Sequence, residues 1–248
     1  MPPEPRVVCC GIRLEADRAW LAAFGIAHVE AAAPEDWVVR RELSRLVLTS
    51  PASEGSLRIV LDVRTGSFAH RITSCRRDDP VARAVGMARG PRTVLDAMAG
   101  LGRDALVLAR LGCTVTAVER VGALAALAAD AALACGVADR MRVVHGDALD
   151  TLRALRAAPA PEQPEVVYLD PMFEEEGRAQ VKKEAQVLRL LGDDTVPSAG
   201  LLAAAREVAC DRVVVKRHRD LEPLLPGPSH AIDAGSVRFD VYLRPGTR

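Results

Sequence analysis

The chain has 248 residues, 49% of them hydrophobic and 27% charged, with a formal net charge of zero. That balance is ordinary for a soluble globular protein. It excludes a chain that cannot form a core, and it excludes a uniformly basic field drawing in nucleic acid. No run of eighteen apolar residues predicts a membrane span, and Met1–Arg6 carries no basic segment followed by an apolar stretch, so no secretory signal is expected. The six cysteines are scattered without a Cys-x-x-Cys pair, as expected for reduced thiols in a cytoplasmic protein without structural zinc.

Residues 1–90 read as a small N-terminal α/β region. Asp17–Phe24 and Trp37–Leu43 look partly helical. Leu57–Val63 and Phe68–Ile72 flank Arg64-Thr-Gly-Ser67, which predicts a β-hairpin. Asp79-Pro80 followed by Val81–Met87 predicts a helix leading into the next region.

Residues 91–248 alternate strand and helix. Strands are expected at Thr93–Ala97, Thr114–Glu119, Met141–His145, Val166–Asp170 and Arg212–Lys216. Helices are expected at Arg103–Leu111, Ala123–Ala134, Ala148–Arg156, Val181–Leu191 and Ser198–Ala209. Short β-branched runs separated by helices mean a doubly wound, mostly parallel sheet. Ala231–Asp233 and Val237–Leu243 have only Ala-Gly-Ser between them, which predicts a closing hairpin and one antiparallel strand. NAD-type Rossmann domains usually continue in parallel; class I methyltransferases finish with such a reversed strand.

The first strand runs into Asp96-Ala-Met-Ala-Gly-Leu-Gly-Arg-Asp-Ala105. Strand, glycine turn and helix form the entrance to a nucleotide-type cofactor site. Gly100 and Gly102 lack a Cβ, so the backbone can bend sharply and approach a ligand. Asp96 opens the motif and counts among its candidate cofactor contacts. The pattern alone suits NAD as well as S-adenosylmethionine. Glu119 ends the second strand, where a carboxylate can accept hydrogen bonds from both ribose hydroxyls, and Arg120 beside it can flank the adenosine. Asp147, after the third strand, can take the adenine amino group and can also cap the following helix.

The fourth strand ends in Asp170-Pro-Met-Phe173. Asp/Asn-Pro-Pro-Phe/Tyr at this place marks methyltransferases acting on amino nitrogens conjugated to a ring or carbonyl. Such a nitrogen is nearly planar and its lone pair is delocalised, so it is a poor nucleophile. Asp170 and the Pro171 carbonyl can accept its two N–H bonds and aim it at a sulfonium methyl. Phe173 can stack on the base.

Asp96–Ala109, Val166–Phe173, Val181-Lys-Lys-Glu184 and Arg212-Val-Val-Val-Lys-Arg217 together resemble the bacterial small-subunit ribosomal RNA methyltransferase J family. Ala69-His-Arg71 and Arg238-Phe-Asp-Val-Tyr242 are also similar. The resemblance spans roughly residues 57 to 243. It implies a class I methyltransferase fold and transfer of methyl from S-adenosylmethionine to the exocyclic N2 of a guanine in 16S (small-subunit) ribosomal RNA, free or in the 30S particle. By motif match it implies cofactor contacts at Arg103, Asp104, Glu119, Arg120, Asp147, Ala148 and Asp170. The chain departs from the family in having Ser74-Cys-Arg-Arg-Asp-Asp79 in place of a glycine-rich stretch, Asp147-Ala148 in place of Ser-Ser, and Glu174 in place of a proline.

RNA work needs phosphate contacts. From Arg64 to Arg92 there are seven arginines against Asp78 and Asp79. Arg64, Arg71, Arg76, Arg77, Lys182, Lys183, Lys216 and Arg217 are the candidates, against the alternative of an ordinary solvated arginine-rich surface. The five histidines show no ligand spacing, so no metal site is expected. The rival readings are an NAD-dependent oxidoreductase, a non-catalytic RNA-binding protein with a vestigial fold, and transfer to adenine N6 or a protein amide.

Overall fold

The structure is a computed structural model that describes residues 5–55, 57–159, 162–171, 186–187, 190–191 and 199–246. Among these, two sheets are present. The larger is built from β6 (Thr93–Asp96), β7 (Thr114–Glu119), β8 (Met141–His145), β9 (Val166–Leu169), β10 (Arg212–His218), β11 (His230–Ala234) and β12 (Val237–Leu243). Its order is β11-β12-β10-β9-β6-β7-β8. Neighbours from β10 to β8 are parallel, and β12 is antiparallel to both β10 and β11. The reversed strand is therefore last in the chain but lies inside the sheet, one place from its edge. Helices α4 (Arg103–Arg110), α5 (Gly122–Ala134), α6 (Ala148–Arg156) and α7 (Ala199–Val208) connect the parallel strands. All four residues of β9 are buried, as an all-apolar run covered on both faces by helices requires. The order places the ends of β6, β7 and β9 side by side, where a doubly wound sheet binds ligands.

The smaller sheet has the order β2-β1-β3-β4-β5, from β1 (Val7–Cys9), β2 (Ala27–His28), β3 (Trp37–Glu42), β4 (Arg45–Thr49) and β5 (Arg58–Ile59). It packs on α5, a helix with hardly any polar face. Ala123–Ala128 are buried on every side because β7 and β8 cover one face and β4 the other. Asp130 on α5 completes the joint, accepting from Arg41 Nη1 at 2.9 Å and from the Leu46 N–H at 2.8 Å. One apolar cluster runs from Val39 and Leu48 through Leu124 and Leu127 to Val115.

Two expectations for the N-terminal region fail. Trp37–Leu43 is not helical; it supplies β3, whose Trp37, Val38 and Val39 are buried, and β3 pairs with β4 in a hairpin. Its turn runs through Leu43 at φ 56°, a left-handed conformation without the glycine or asparagine that would have flagged it. The predicted hairpin over 57–72 does not form: β5 covers only Arg58–Ile59 and pairs with β4, and a turn and a helix follow it. Asp62 accepts the N–H groups of Arg64 and Thr65 at 2.9 and 3.1 Å and the Thr65 hydroxyl at 2.7 Å. That turn starts α2 (Gly66–Ser74), in which Phe68 and Ile72, one helical turn apart, are buried. α1 (Glu15–Ala22) and α3 (Pro80–Ala84) match the remaining expectations. The helix expected over 181–191 lies largely outside the described residues.

Candidate active site

The glycine turn is tied to two strands. The Ala97 N–H donates to the Tyr168 carbonyl at 3.0 Å, and the Ala99 N–H to the Val118 carbonyl at 2.9 Å. Gly100 and Gly102 take φ values of 54° and 70°. A Cβ on Gly102 would lie 2.9 Å from Met141 Cε and 3.2 Å from Ala128 Cβ, so the close packing and the positive φ both favour glycine. A Cβ on Gly100 would meet nothing within 4 Å; this side of the turn faces open space. Glu119, buried at the end of β7, accepts the Gly100 N–H through Oε2 at 2.8 Å and the Val121 N–H through Oε1 at 2.6 Å. These two bonds from backbone donors orient the group. Open space beside the glycine turn, next to a carboxylate held by backbone donors, fits a ribosyl-bearing cofactor.

Asp147 caps α6, with Oδ1 accepting from the N–H groups of Leu149 and Asp150 at 2.8 and 3.0 Å. Ala148 follows, half-buried. Arg120 is exposed, and its carbonyl lies 3.1 Å from His145 Nε2. The Arg103 guanidinium stacks 4.8 Å over the Phe68 ring, linking α4 to α2.

The densest polar cluster gathers around Asp104, which is buried. It accepts from Arg71 Nη2 at 2.5 Å, the Tyr168 hydroxyl at 2.8 Å and Lys216 Nζ at 2.9 Å. The same ammonium lies 2.6 Å from Asp170 Oδ2. Asp104 from the glycine motif and Asp170 from the end of β9 thus share one cation. Burial alone would raise the Asp104 carboxyl; Lys216 and Arg71 outweigh it and hold the group well below the ordinary carboxylate range. The Lys216 ammonium is pushed up, because Asp170 and Asp104 together overcome the opposing effect of burial. Asp96, fully enclosed, goes the other way. Burial first, then the charges of Asp170 and Asp104, push it well above its usual value, and its bond from the Met98 N–H is long at 3.4 Å.

The structure therefore brings together Asp96, Asp104 and Asp170 around Lys216, and Gly100 with Glu119, while the hydrogen bonds of Asp147 described here are to its own helix. Pro171 is buried beside Asp170. Phe173, Lys182 and Lys183 lie outside the described residues. Three basic residues expected to face RNA are paired with carboxylates; Lys216 and Arg217 are directed inward, while the Arg71 side chain keeps 43% of its surface exposed. Lys216 and Arg71 are committed to the carboxylates just described. Arg217 is buried against Asp240, with Nε 2.5 Å from Oδ2. Arg64, Arg76 and Arg77 are exposed. Tyr168 and the bridging position of Lys216 were missed from sequence. The available signal was a single lysine closing the apolar run Val213–Val215, on a strand level with the one that ends at Asp170.

Among the described residues no helix is long and apolar enough to cross a membrane, and no group of three His, Cys, Asp or Glu could hold a metal ion. A family model for SAM-dependent methyltransferases matches residues 20–244. A ribosomal RNA small subunit methyltransferase J from Thioalkalivibrio sulfidiphilus is 45% identical over 210 residues, covering 80% of this chain and 80% of that one. The protein of the same name from Pseudomonas fluorescens is 39% identical over 245 residues, 94% of this chain and 91% of its own. The crystal structure of a SAM-dependent methyltransferase from Neisseria gonorrhoeae superposes with a TM-score of 0.73 at 32% identity, covering 98% of this chain and 97% of that one. These matches decide between the two cofactor readings in favour of S-adenosylmethionine. The chain belongs to the ribosomal RNA small subunit methyltransferase J family of class I, SAM-dependent methyltransferases.

Proposed function

We propose that this enzyme methylates the exocyclic N2 of one guanine in small-subunit ribosomal RNA, in the cytoplasm, on free RNA or on the 30S particle. The names of the relatives support the RNA class. The observation that carries the site is the approach of Asp170 to the glycine motif, where one ammonium contacts Asp170 and Asp104 at 2.6 and 2.9 Å.

The cofactor, when bound, supplies an electrophilic methyl group on a sulfonium centre. Glu119 would accept the ribose hydroxyls, and Asp96 with the turn from Gly100 to Asp104 would hold the methionine part. Asp147 meets the adenine amino group while capping α6, and Arg120 and Ala148 line the adenosine side. Asp170 and the Pro171 carbonyl accept the two N–H bonds of the guanine amine. These acceptors favour localising the nitrogen lone pair and aim it along one line of attack; the new N–C bond replaces the methyl's bond to sulfur, and the surplus proton of the amine passes to solvent. Phe173 stacks on the base, which must leave its own stack to enter.

Residues 91–248 form the methyltransferase domain, and residues 1–90 form a smaller region that meets RNA. Arg64, Arg76 and Arg77 contact phosphates there; such contacts position the substrate without reading its sequence.

The test is mass mapping of small-subunit RNA from cells with and without the gene, followed by methyl transfer to the unmodified RNA in vitro. One N2-methylguanine that disappears with the gene and returns with the enzyme is expected. A lost adenine mark, or a methylated protein amide, would overturn the guanine assignment.

A further inference from the structure

Lys216 follows Val213–Val215 within β10, level with Asp170, which stands just past the end of the neighbouring strand β9. About three-quarters of its side chain is enclosed, the exposed fraction being 25%. Asp104, its other partner, is anchored from two further directions, by the Tyr168 hydroxyl from β9 and by Arg71 from α2. Asp104 is therefore a fixed point, and a lysine bonded to it cannot wander. Asp170 has a more exposed side chain, at 35%, and takes one of its bonds from that fixed ammonium.

We propose that Lys216 is a positioning residue for methyl transfer: its ammonium pins Oδ2 of Asp170 and ties that carboxylate to the helix behind the glycine turn. This rests on the reading of Asp170 as the group that orients the target amine. A carboxylate free to rotate would present its oxygens in several directions, and a misplacement of about 1 Å is enough to lose about 10²-fold in rate. Among the described residues, the charged groups that face Lys216 and Asp170 include Asp104 on α4, Asp96 on β6 and Arg71 on α2, with the Tyr168 phenol on β9. Without the ammonium, Asp170 would stand beside two other acidic side chains, and like charges favour protonation. A protonated carboxyl carries a donor on one oxygen and keeps only a weaker, neutral acceptor on the other, so it holds an amine less well. Lysine suits the role because three tetrahedral N–H groups can serve two separate carboxylates, whereas arginine presents a planar fork.

The test uses the full-length protein, S-adenosylmethionine as the binding probe, and unmodified small-subunit RNA as the methyl acceptor. In Lys216→Met, cofactor affinity by calorimetry stays close to wild type, kcat falls by about 10-fold to 10²-fold, and the acid limb of the kcat–pH profile moves to higher pH. In Lys216→Arg the limb returns towards its original position while kcat stays about tenfold low, because the charge is kept and the geometry is not. A merely structural lysine would lower thermal stability and leave the pH profile unmoved. Wild-type kcat in both variants, or a lowered kcat with an unshifted limb in Lys216→Met, overturns the proposal. Should Lys216→Met not fold, Lys216→Arg decides: wild-type kcat there overturns it, and reduced kcat with intact cofactor binding supports it. Asp170→Ala is assayed in parallel. If it keeps full activity, the reading of Asp170 itself fails; if it is inactive while both lysine variants behave as wild type, only the role of Lys216 fails.

Discussion

Glu119 accepts the backbone N–H of Gly100 at 2.8 Å, which binds the end of β7 to the glycine turn nineteen residues earlier. Its other oxygen accepts from Val121 at 2.6 Å, so one side chain orders both the turn and the start of α5.

Glu119→Gln turns one of these oxygens into a donor facing an N–H. A hydrogen bond to a charged acceptor is worth about 1.5–3 kcal/mol. Cofactor affinity is expected to fall by about 10-fold to 150-fold, with kcat at saturating cofactor much less affected. Calorimetric titration with S-adenosylmethionine measures this, and unchanged affinity would remove Glu119 from the cofactor site.

Asp170→Ala removes the acceptor assigned to the target amine but none of the groups assigned to the ribose or adenine. Methyl transfer should drop by about 10²-fold to 10³-fold, the scale of losing one preorganised polar group at a reacting centre. Cofactor binding should persist. Incorporation of labelled methyl into unmodified RNA and calorimetry on the same preparation separate the two.

Arg217→Ala tests a buried pair outside the site. Asp240 is fully enclosed, and removing the partner of a buried charge typically costs about 3–5 kcal/mol. Arg238 Nε also contacts Asp240, at 3.0 Å, which places the expected loss near the lower end. A fall in melting temperature of about 6–12 °C follows for a domain of this size. Thermal unfolding measures it, and a change below experimental error would show that the pair contributes little.

Asp96→Asn gives a pH signature. The native Asp96 carboxyl is pushed well above its ordinary value, by burial first and then by Asp170 and Asp104. In the unfolded chain it ionises near about pH 3.9. Between those two values the native state holds one proton more than the unfolded state, so this group lowers stability as pH rises, by at most about 1.4 kcal/mol per pH unit. Asparagine has no such proton. The variant should gain on the wild type as pH rises above the unfolded-state value of about 3.9 in urea unfolding. A constant difference would show that Asp96 ionises normally in the folded protein. Asp104 has the opposite sign, since its folded value is depressed: its contribution is present above the unfolded value and is lost as pH falls through the folded one. It is common to both proteins, and to a first approximation it drops out of the comparison.

Local patterns in the sequence carried the main sheet. Val166–Leu169 and Val213–Val215 are apolar runs because both of their faces are covered, and covering is recorded residue by residue in composition. The glycine turn, Glu119 and Asp170 were legible for a related reason: in a doubly wound sheet, strand ends meet the ligand, so position along a strand already implies position in space. The failures came where the record is not local. Phe68 and Ile72 are equally compatible with a strand read by eye and with a helix face, and the Asp62 turn decides for the helix. Arg217 and Lys216 are adjacent basic residues in the sequence, yet one is sealed against Asp240 and the other bridges two acidic groups. Lys216 finds Asp170 across 46 positions and Asp104 across 112. Those pairings exist only because β10 lies beside β9 and Asp104, at the start of α4, reaches side chains of both. A charged side chain's partner is set by strand order and packing, which no short window of sequence contains.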